Sequence, residues 1–262
     1  SITSPFTLTQ ALTAASVPAH STICLRGGTY GSGGNVTFQS SVADVVVVSA
    51  PGEHAVIDGG LHITGNHFTL RQVEVKNSRS GMRPPAIDVE ATDVDLVMNL
   101  VHDGGDAGVY LRPSSRDATL EGNLVYANGH GRAGSGVRGQ ANQLTMRGNS
   151  IANNAQEAVD LSSGTDATLQ GNAVLGALQA CGPALHVMGT SNLVEDGTEV
   201  GHVTTTSGTL VATSSLPGAN ASPYLWDGAS AAPTPTSKRT VDPLGDSLWS
   251  RVERIEPGSA LV

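Results

Sequence analysis

The chain has 262 residues, 14% of them charged and 3% aromatic, with 32 glycines and a formal net charge of −9. So little charge argues against disorder, and a composition led by Gly, Ser, Thr and Val argues against a helical bundle. Lys76 and Lys238 are its lysines and no basic patch is visible, so nucleic acid is not an expected partner. A membrane is not expected either: the longest apolar run, Val45 to Val48, is far short of the roughly 20 residues a spanning helix needs.

In chain order, Thr7-Leu8-Thr9-Gln10 has the spacing of a capping box. Leu8, Leu12 and Ala15 follow at helical spacing. This predicts a short helix over 7–17, closing the end of what comes next. From about residue 60 a pattern recurs: apolar-x-apolar, a turn, then apolar-x-x-Asn-x-Val. Its first strand reads Leu61-His62-Ile63, Ile87-Asp88-Val89, Val109-Tyr110-Leu111, Val137-Arg138-Gly139, Val159-Asp160-Leu161 and Leu185-His186-Val187. The second strand recurs at Leu70, Leu96, Leu120, Met146, Leu169 and Leu193, and a third inward position at Val75, Val101, Val125, Ile151 and Val174. Apolar residues at i and i+2 share one face of a strand, and one coil cannot bury that face alone. The expected fold is therefore all-β: a single-stranded right-handed parallel β-helix, a solenoid with an N-terminal capping helix and an irregular C-terminal cap. Asn99, Asn123, Asn149 and Asn172 share one repeat position, and are read as a stacked amide ladder.

The repeats fade near residue 203, which gives a β-helix over 1–203 and a capping segment over 204–262. The latter is rich in Pro, Ser, Thr and Ala between 216 and 240, and Trp226, Leu248 and Trp249 are expected to cover the last coil. Cys24 and Cys181 fall at opposite ends of the array, about six coils of roughly 4.8 Å apart, so two separate thiols are expected.

The opening Phe6-Thr7-Leu8-Thr9-Gln10-Ala11-Leu12, the strand Thr22 to Arg26 ending in Gly27-Gly28-Thr29-Tyr30, and the repeated Gly122-Asn123-Leu124-Val125 and Gly171-Asn172-Ala173-Val174 are similar to the right-handed parallel β-helix superfamily related to pectate lyases. The tail from Val241-Asp242-Pro243 to Pro257-Gly258-Ser259-Ala260 resembles its usual ending. The resemblance implies the fold. It leaves activity open among polysaccharide lyases, hydrolases, epimerases, adhesins and phage virion parts.

Coil alignment turns the sequence into a surface map. The outward column of the first strand reads His62, Asp88, Tyr110, Arg138, Asp160 and His186, flanked by Glu90, Arg112, Gln140 and Ser163. A further outward column reads Lys76, His102 and Tyr126. Two long loops carry Arg79 and Arg83, and His130 and Arg132; the turn Asp103-Gly104-Gly105-Asp106 lies between them. These residues are expected to line a groove for a polysaccharide. Cleaving a uronic-acid polymer by β-elimination needs a base, a proton donor and a cation facing the carboxylate. Arg138 or Lys76 is the candidate base, Tyr110 or His102 the donor, and Asp103, Asp106 and Asp88 the candidate Ca²⁺ ligands. His62, Asp88, Arg112, Arg79, Arg83, His130, Arg132, Asp160 and His186 are candidates for substrate binding. The alternative is structural: Arg138 lies between Tyr110 and Asp160, where an ion pair and a ring contact satisfy all three. A two-carboxylate hydrolase is disfavoured, because Asp88 and Asp160 are three coils apart, roughly 14 Å. A secreted enzyme and a non-catalytic virion component remain the two expectations. No leader is visible ahead of Ser1, the expected setting is extracellular or a virion surface, and the expected state is a monomer.

Overall fold

The structure, a computed structural model, describes residues 6–13, 17–31, 38–77, 84–129, 134–140, 142–152, 154–161, 167–170, 172–174, 178–180, 185–195 and 203–213. Short strands follow one another around a flattened coil and pair in parallel with their counterparts one coil away. Three stacks result. The first runs through Phe38–Ser40, Leu61–Ile63, Ile87–Val89, Ala107–Leu111, Ser135–Gly139, Val159–Leu161 and Leu178–Ala180. The second begins at Ser21–Leu25 and Val45–Ser49 and continues through Phe68–Arg71 and Val94–Val97 to Ala167–Gln170. The third begins at Gly28–Tyr30 and continues through Glu74–Lys76, Leu100–His102 and Leu124–Tyr126 to Ala173–Val174. At the top, the eleven-residue strand Leu185–Glu195 pairs with both Ala167–Gln170 and Ala173–Val174, joining the second and third stacks into one sheet.

The alternation read from the sequence is what fills the interior. Leu61, Ile63, Ile87, Val89, Leu111, Val137 and Val159 point in from the first stack, Leu70, Leu96, Leu120 and Met146 from the second, and Val75, Val101, Val125 and Ile151 from the third. The N-terminal helix spans Leu8–Thr13 and buries Leu8, Ala11 and Leu12 over the open end of this core. Its capping box is formed: the Thr7 amide donates to Gln10 Oε1 at 2.9 Å and the Gln10 amide to Thr7 Oγ1 at 3.3 Å. The described helix ends at Thr13, and residues 14–16 of the expected 7–17 lie outside the described residues.

The chain bends between stacks by placing one residue in the left-handed region. Gln72, Met98, Gly122 and Gly148 do this at the corner between the second and third stacks, with φ of 54°, 54°, 63° and 59°. After Met98, Gly122 and Gly148 the following residue is the ladder asparagine; after Gln72 it is Val73, whose amide donates to Asn99 Oδ1. Asn99, Asn123 and Asn149 each donate a side-chain N–H to the Oδ1 of the next asparagine, at 3.1, 3.0 and 2.9 Å, so the ladder runs through to Asn172. A second ladder, not anticipated from the sequence, stands at the corner between the third and first stacks. There Asn128 Nδ2 donates to Asn154 Oδ1 at 3.0 Å and the Gly104 amide to Asn128 Oδ1 at 2.9 Å.

One coil was misaligned by the sequence pattern. Val159–Leu161 pairs with Leu178–Ala180, so Gln179 rather than His186 stands next to Asp160 in the first stack. His186 pairs with Thr168 in the second stack, and Leu193 pairs with Ala173 in the third. Apolar-x-apolar occurs twice in quick succession here. Strand pairing selects the earlier copy, and the later one lies in the strand Leu185–Glu195, which pairs with the second and third stacks. Strand structure also continues beyond residue 203: Val203–Thr213 pairs in parallel with Leu185–Glu195. Trp226, Leu248, Trp249 and Cys181 lie outside the described residues. Cys24 is a free, exposed thiol. No helix among the described residues is long and apolar enough to cross a membrane.

Candidate functional site

The outward column of the first stack is His62, Asp88, Tyr110, Arg138 and Asp160, each paired in register with the next. Gln39 precedes it and Gln179 follows. The alternation that turns Ile87 and Val89 inward turns Asp88 outward, and the same holds at every level. Glu90, Arg112 and Gln140 form the flanking column. Each is tied to the preceding coil through its amide: Glu90 to Ile63 O, Arg112 to Val89 O and Gln140 to Leu111 O.

These side chains are bonded to one another. Arg112 makes a two-pronged contact with Asp88, Nε to Oδ1 at 2.8 Å and a terminal N–H to Oδ2 at 2.7 Å. The Asp88 bond is the main reason the guanidinium is held well above the ordinary arginine pKa. Its Cζ also stands 6.0 Å from the centre of the Tyr110 ring. The Tyr110 hydroxyl donates to Gln140 Oε1 at 2.6 Å, and His62 Nε2 lies 3.2 Å from Glu90 Oε2. Arg138 donates from Nε to Asp160 Oδ2 at 3.2 Å and from a terminal nitrogen to Asp106 Oδ2, also at 3.2 Å. Burial works against its charge, but the bond from Asp160 and the charge of Asp106 win, and the guanidinium is held above its ordinary pKa. Arg138 is thus engaged by two carboxylates, those of Asp160 and Asp106. The ring contact expected of Arg138 is made by Arg112.

Lys76 and His102 stand in the third stack, paired in register with each other and with Tyr126. Lys76 Nζ is 3.9 Å from Asp58 Oδ2. His102 is buried, with Nε2 3.2 Å from Glu74 Oε1 and Nδ1 2.9 Å from Asp103 Oδ2. Glu74 is buried too, and its other oxygen lies 2.6 Å from His54 Nε2. Burial pushes the Glu74 carboxyl up, but the two histidines overcome this and bring it down to about 2. The Tyr126 ring stacks on His102 with centroids 5.1 Å apart. Burial first, then the charges of Glu74 and Asp103, push its hydroxyl above the usual tyrosine value. Glu74 and His54 were missed by the sequence reading. Glu74 replaces the leucine of later coils at a buried position, Leu100 and Leu124, which is the signal that pointed to it.

The candidate residues therefore divide into a first-stack group and a third-stack group, linked by the turn from Asp103 to Asp106. The three aspartates read as calcium ligands do not fit one ion. Asp88 is taken up by Arg112, Asp106 by Arg138 and Asp103 by His102. Among the described residues no group of three or more His, Cys, Asp or Glu side chains is arranged to hold a metal. Arg79, Arg83, His130, Arg132 and Ser163 lie outside the described residues.

Comparison with known proteins bears on this geometry. Residues 20–198 match the family described as the right handed beta helix region. The chain belongs to the right-handed β-helix family. The match fixes the hand of the coil, as expected for parallel strands joined by crossovers. No curated protein matches the sequence. Among solved structures, this β-helix is similar to the crystal structure of pectate lyase Pel9A, with a TM-score of 0.52, 14% identity, and coverage of 80% of this chain and 74% of that one. At that identity the likeness is one of fold.

Proposed function

We propose that this β-helix binds a polysaccharide along the outward face of its first stack. The observation that carries the reading is the in-register column from His62 to Asp160 with its flank of Glu90, Arg112 and Gln140. Functional side chains repeat there at the strand spacing of about 4.8 Å, a ladder suited to a ligand that itself repeats. They are held by each other before any ligand arrives, which cuts the ordering cost of binding. A β-helix fold similar to that of a pectate lyase supports the ligand class. The finer reading is an acidic polymer, recognised by Arg112 and Arg138 and cleaved by β-elimination. For cleavage, Tyr110 is the proton donor nearest the two arginines, and Lys76 and His102 are the remaining acid–base candidates. The paired state of Arg138 favours binding without cleavage, as in an adhesin or virion component. Either role belongs outside the cell or on a virion surface.

The deciding experiment mixes the chain with pectate, alginate, hyaluronan and chondroitin sulfate, with and without calcium. It reads binding by calorimetry and the ultraviolet absorbance of the unsaturated uronic end. Binding lost in Arg138→Ala supports the first-stack face, and a rise in absorbance adds the lyase activity. No binding to any of the four, or binding untouched by Arg138→Ala and Arg112→Ala, overturns the reading.

A further inference from the structure

The third stack differs from the other two on its outward side. Thr69, Thr119 and Thr145 on the second stack, and Tyr110 and Arg138 on the first, point out and are half-buried. On the third, the column Val56, Glu74, Leu100, Leu124 and Ser150, each paired in register with the next, is buried throughout. These residues alternate with Ile57, Val75, Val101, Val125 and Ile151, which fill the core, so they face away from it. Leu100 and Leu124 are 0% exposed without belonging to the core cluster. Ser150 is as deeply buried, and its hydroxyl has no hydrogen-bond partner among the described residues. An outward leucine is shielded when something lies over it, and in a single chain the cover comes from the chain itself.

We propose that residues 214–262 form this cover, running down the side of the solenoid over Leu124 and Leu100 rather than lying over its last coil. The place where the segment begins favours it. Above Ser150 the same column continues through Ala173 and Leu193 to Val211, and the strand that holds Val211 ends two residues later at Thr213. The segment therefore starts at the head of the column it covers.

Length and composition agree with this placement. From Val211 down to Leu100 is five register steps, about 24 Å at the strand spacing of roughly 4.8 Å. Roughly eight residues of extended chain span that distance, and residues 214–262 exceed it several times over. Leu225, Trp226, Leu248, Trp249 and Ile255 give the segment apolar side chains to lay on the two leucines, and the Ser150 hydroxyl offers it a hydrogen bond. The cover lies on the third stack and does not depend on what the first-stack face binds.

Trp226 and Trp249 are the two tryptophans of the chain, so tryptophan fluorescence of the full chain reads the segment alone. The expected emission is that of shielded indole. Leu124→Asp sets a charge on the covered face. It is expected to shift the emission to the red and speed its quenching by acrylamide, with the far-UV circular dichroism unchanged. Thr145→Asp, a charge set on the outward side of the second stack, is expected to leave emission and quenching as in the parent. Should Leu124→Asp unfold the chain, the reciprocal variant carries the test. Trp226→Ala with Trp249→Ala leaves every described residue in place, and carbene footprinting is then expected to show labelling gained at Leu100 and Leu124 but not at Val101 and Val125. The proposal is overturned if the parent emission is that of indole in water, if Leu124→Asp and Thr145→Asp give the same emission, or if Leu100 and Leu124 stay unlabelled in the double variant. A shielded emission that turns red on dilution overturns it as well, because the cover then comes from a second copy.

Discussion

Asn123→Ala tests whether the amide ladder holds the solenoid together. The side chain is 1% exposed. Its Oδ1 accepts from the Asn99 amide at 2.9 Å and from Asn99 Nδ2 at 3.1 Å, and its Nδ2 donates to Leu96 O at 2.7 Å and to Asn149 Oδ1 at 3.0 Å. Alanine removes all four bonds, but two groups keep other partners. Asn99 Nδ2 still reaches Leu70 O, and Asn149 Oδ1 still accepts the amide of residue 123. The Asn99 amide and the Leu96 carbonyl lose the bonds they made to this side chain. At about 1–3 kcal/mol for each buried group left unsatisfied, the expected loss is about 2–6 kcal/mol. Urea unfolding followed by circular dichroism measures it, with Thr145→Ala, an outward strand position, as a control expected within about 0.5 kcal/mol of the parent. A loss below about 1 kcal/mol at an unchanged denaturant slope refutes the reasoning: the ladder then reports the bend without stabilising it.

Gly108→Ala places a Cβ 2.6 Å from both Asn128 Nδ2 and the Gly136 carbonyl; we expect a loss of about 1–3 kcal/mol in the same urea assay. Thr7→Ala removes the helix cap and should cost about 1 kcal/mol, seen as earlier amide exchange in Leu8–Thr13. Glu74 has a lowered pKa, so it contributes stability that is present above the ordinary 4.5 and lost as pH falls through about 2; Glu74→Gln should flatten the acid limb of a stability-against-pH curve over that window. Arg138→Ala should cost about 1–3 kcal/mol, because it removes the Nε bond to Asp160, whose side chain is 11% exposed, while polysaccharide binding by calorimetry falls.

The fold was legible because its cause is local. Leu61, Ile87, Val109, Val137 and Val159 repeat in step with their partners at i+2, and that alternation cannot be buried except by stacking. The asparagine ladder showed itself for the same reason: Asn99, Asn123, Asn149 and Asn172 recur at one place. The second ladder did not, because Gly104 and Asn128 share a position without sharing a side chain, so no column is visible until the register is known. His186 was misassigned where two apolar-x-apolar runs compete, since periodicity ranks neither above the other. The first-stack column from His62 to Asp160 could be read outward from alternation alone. The Arg138–Asp160 pair within it was legible too, but the other pairings were not, because Arg138 also meets Asp106 across a turn and Arg112 reaches back to Asp88 in the preceding coil. Glu74 departs from the Leu100 and Leu124 of later coils, but it carries its meaning only beside His54 and His102.

The repeated corner beneath the strand Leu185–Glu195 has a consequence for how such a chain can change in length. Below it, successive coils share corners and ladder positions, and each offers the next an amide donor and an acceptor. A gene can duplicate or lose one of those coils and still present matching ends at the seam. Leu185–Glu195 pairs with both stacks below it and with Val203–Thr213 above it, so stacking continues past it. The number of coils is thus free to drift over evolutionary time, and with it the length of the outward face.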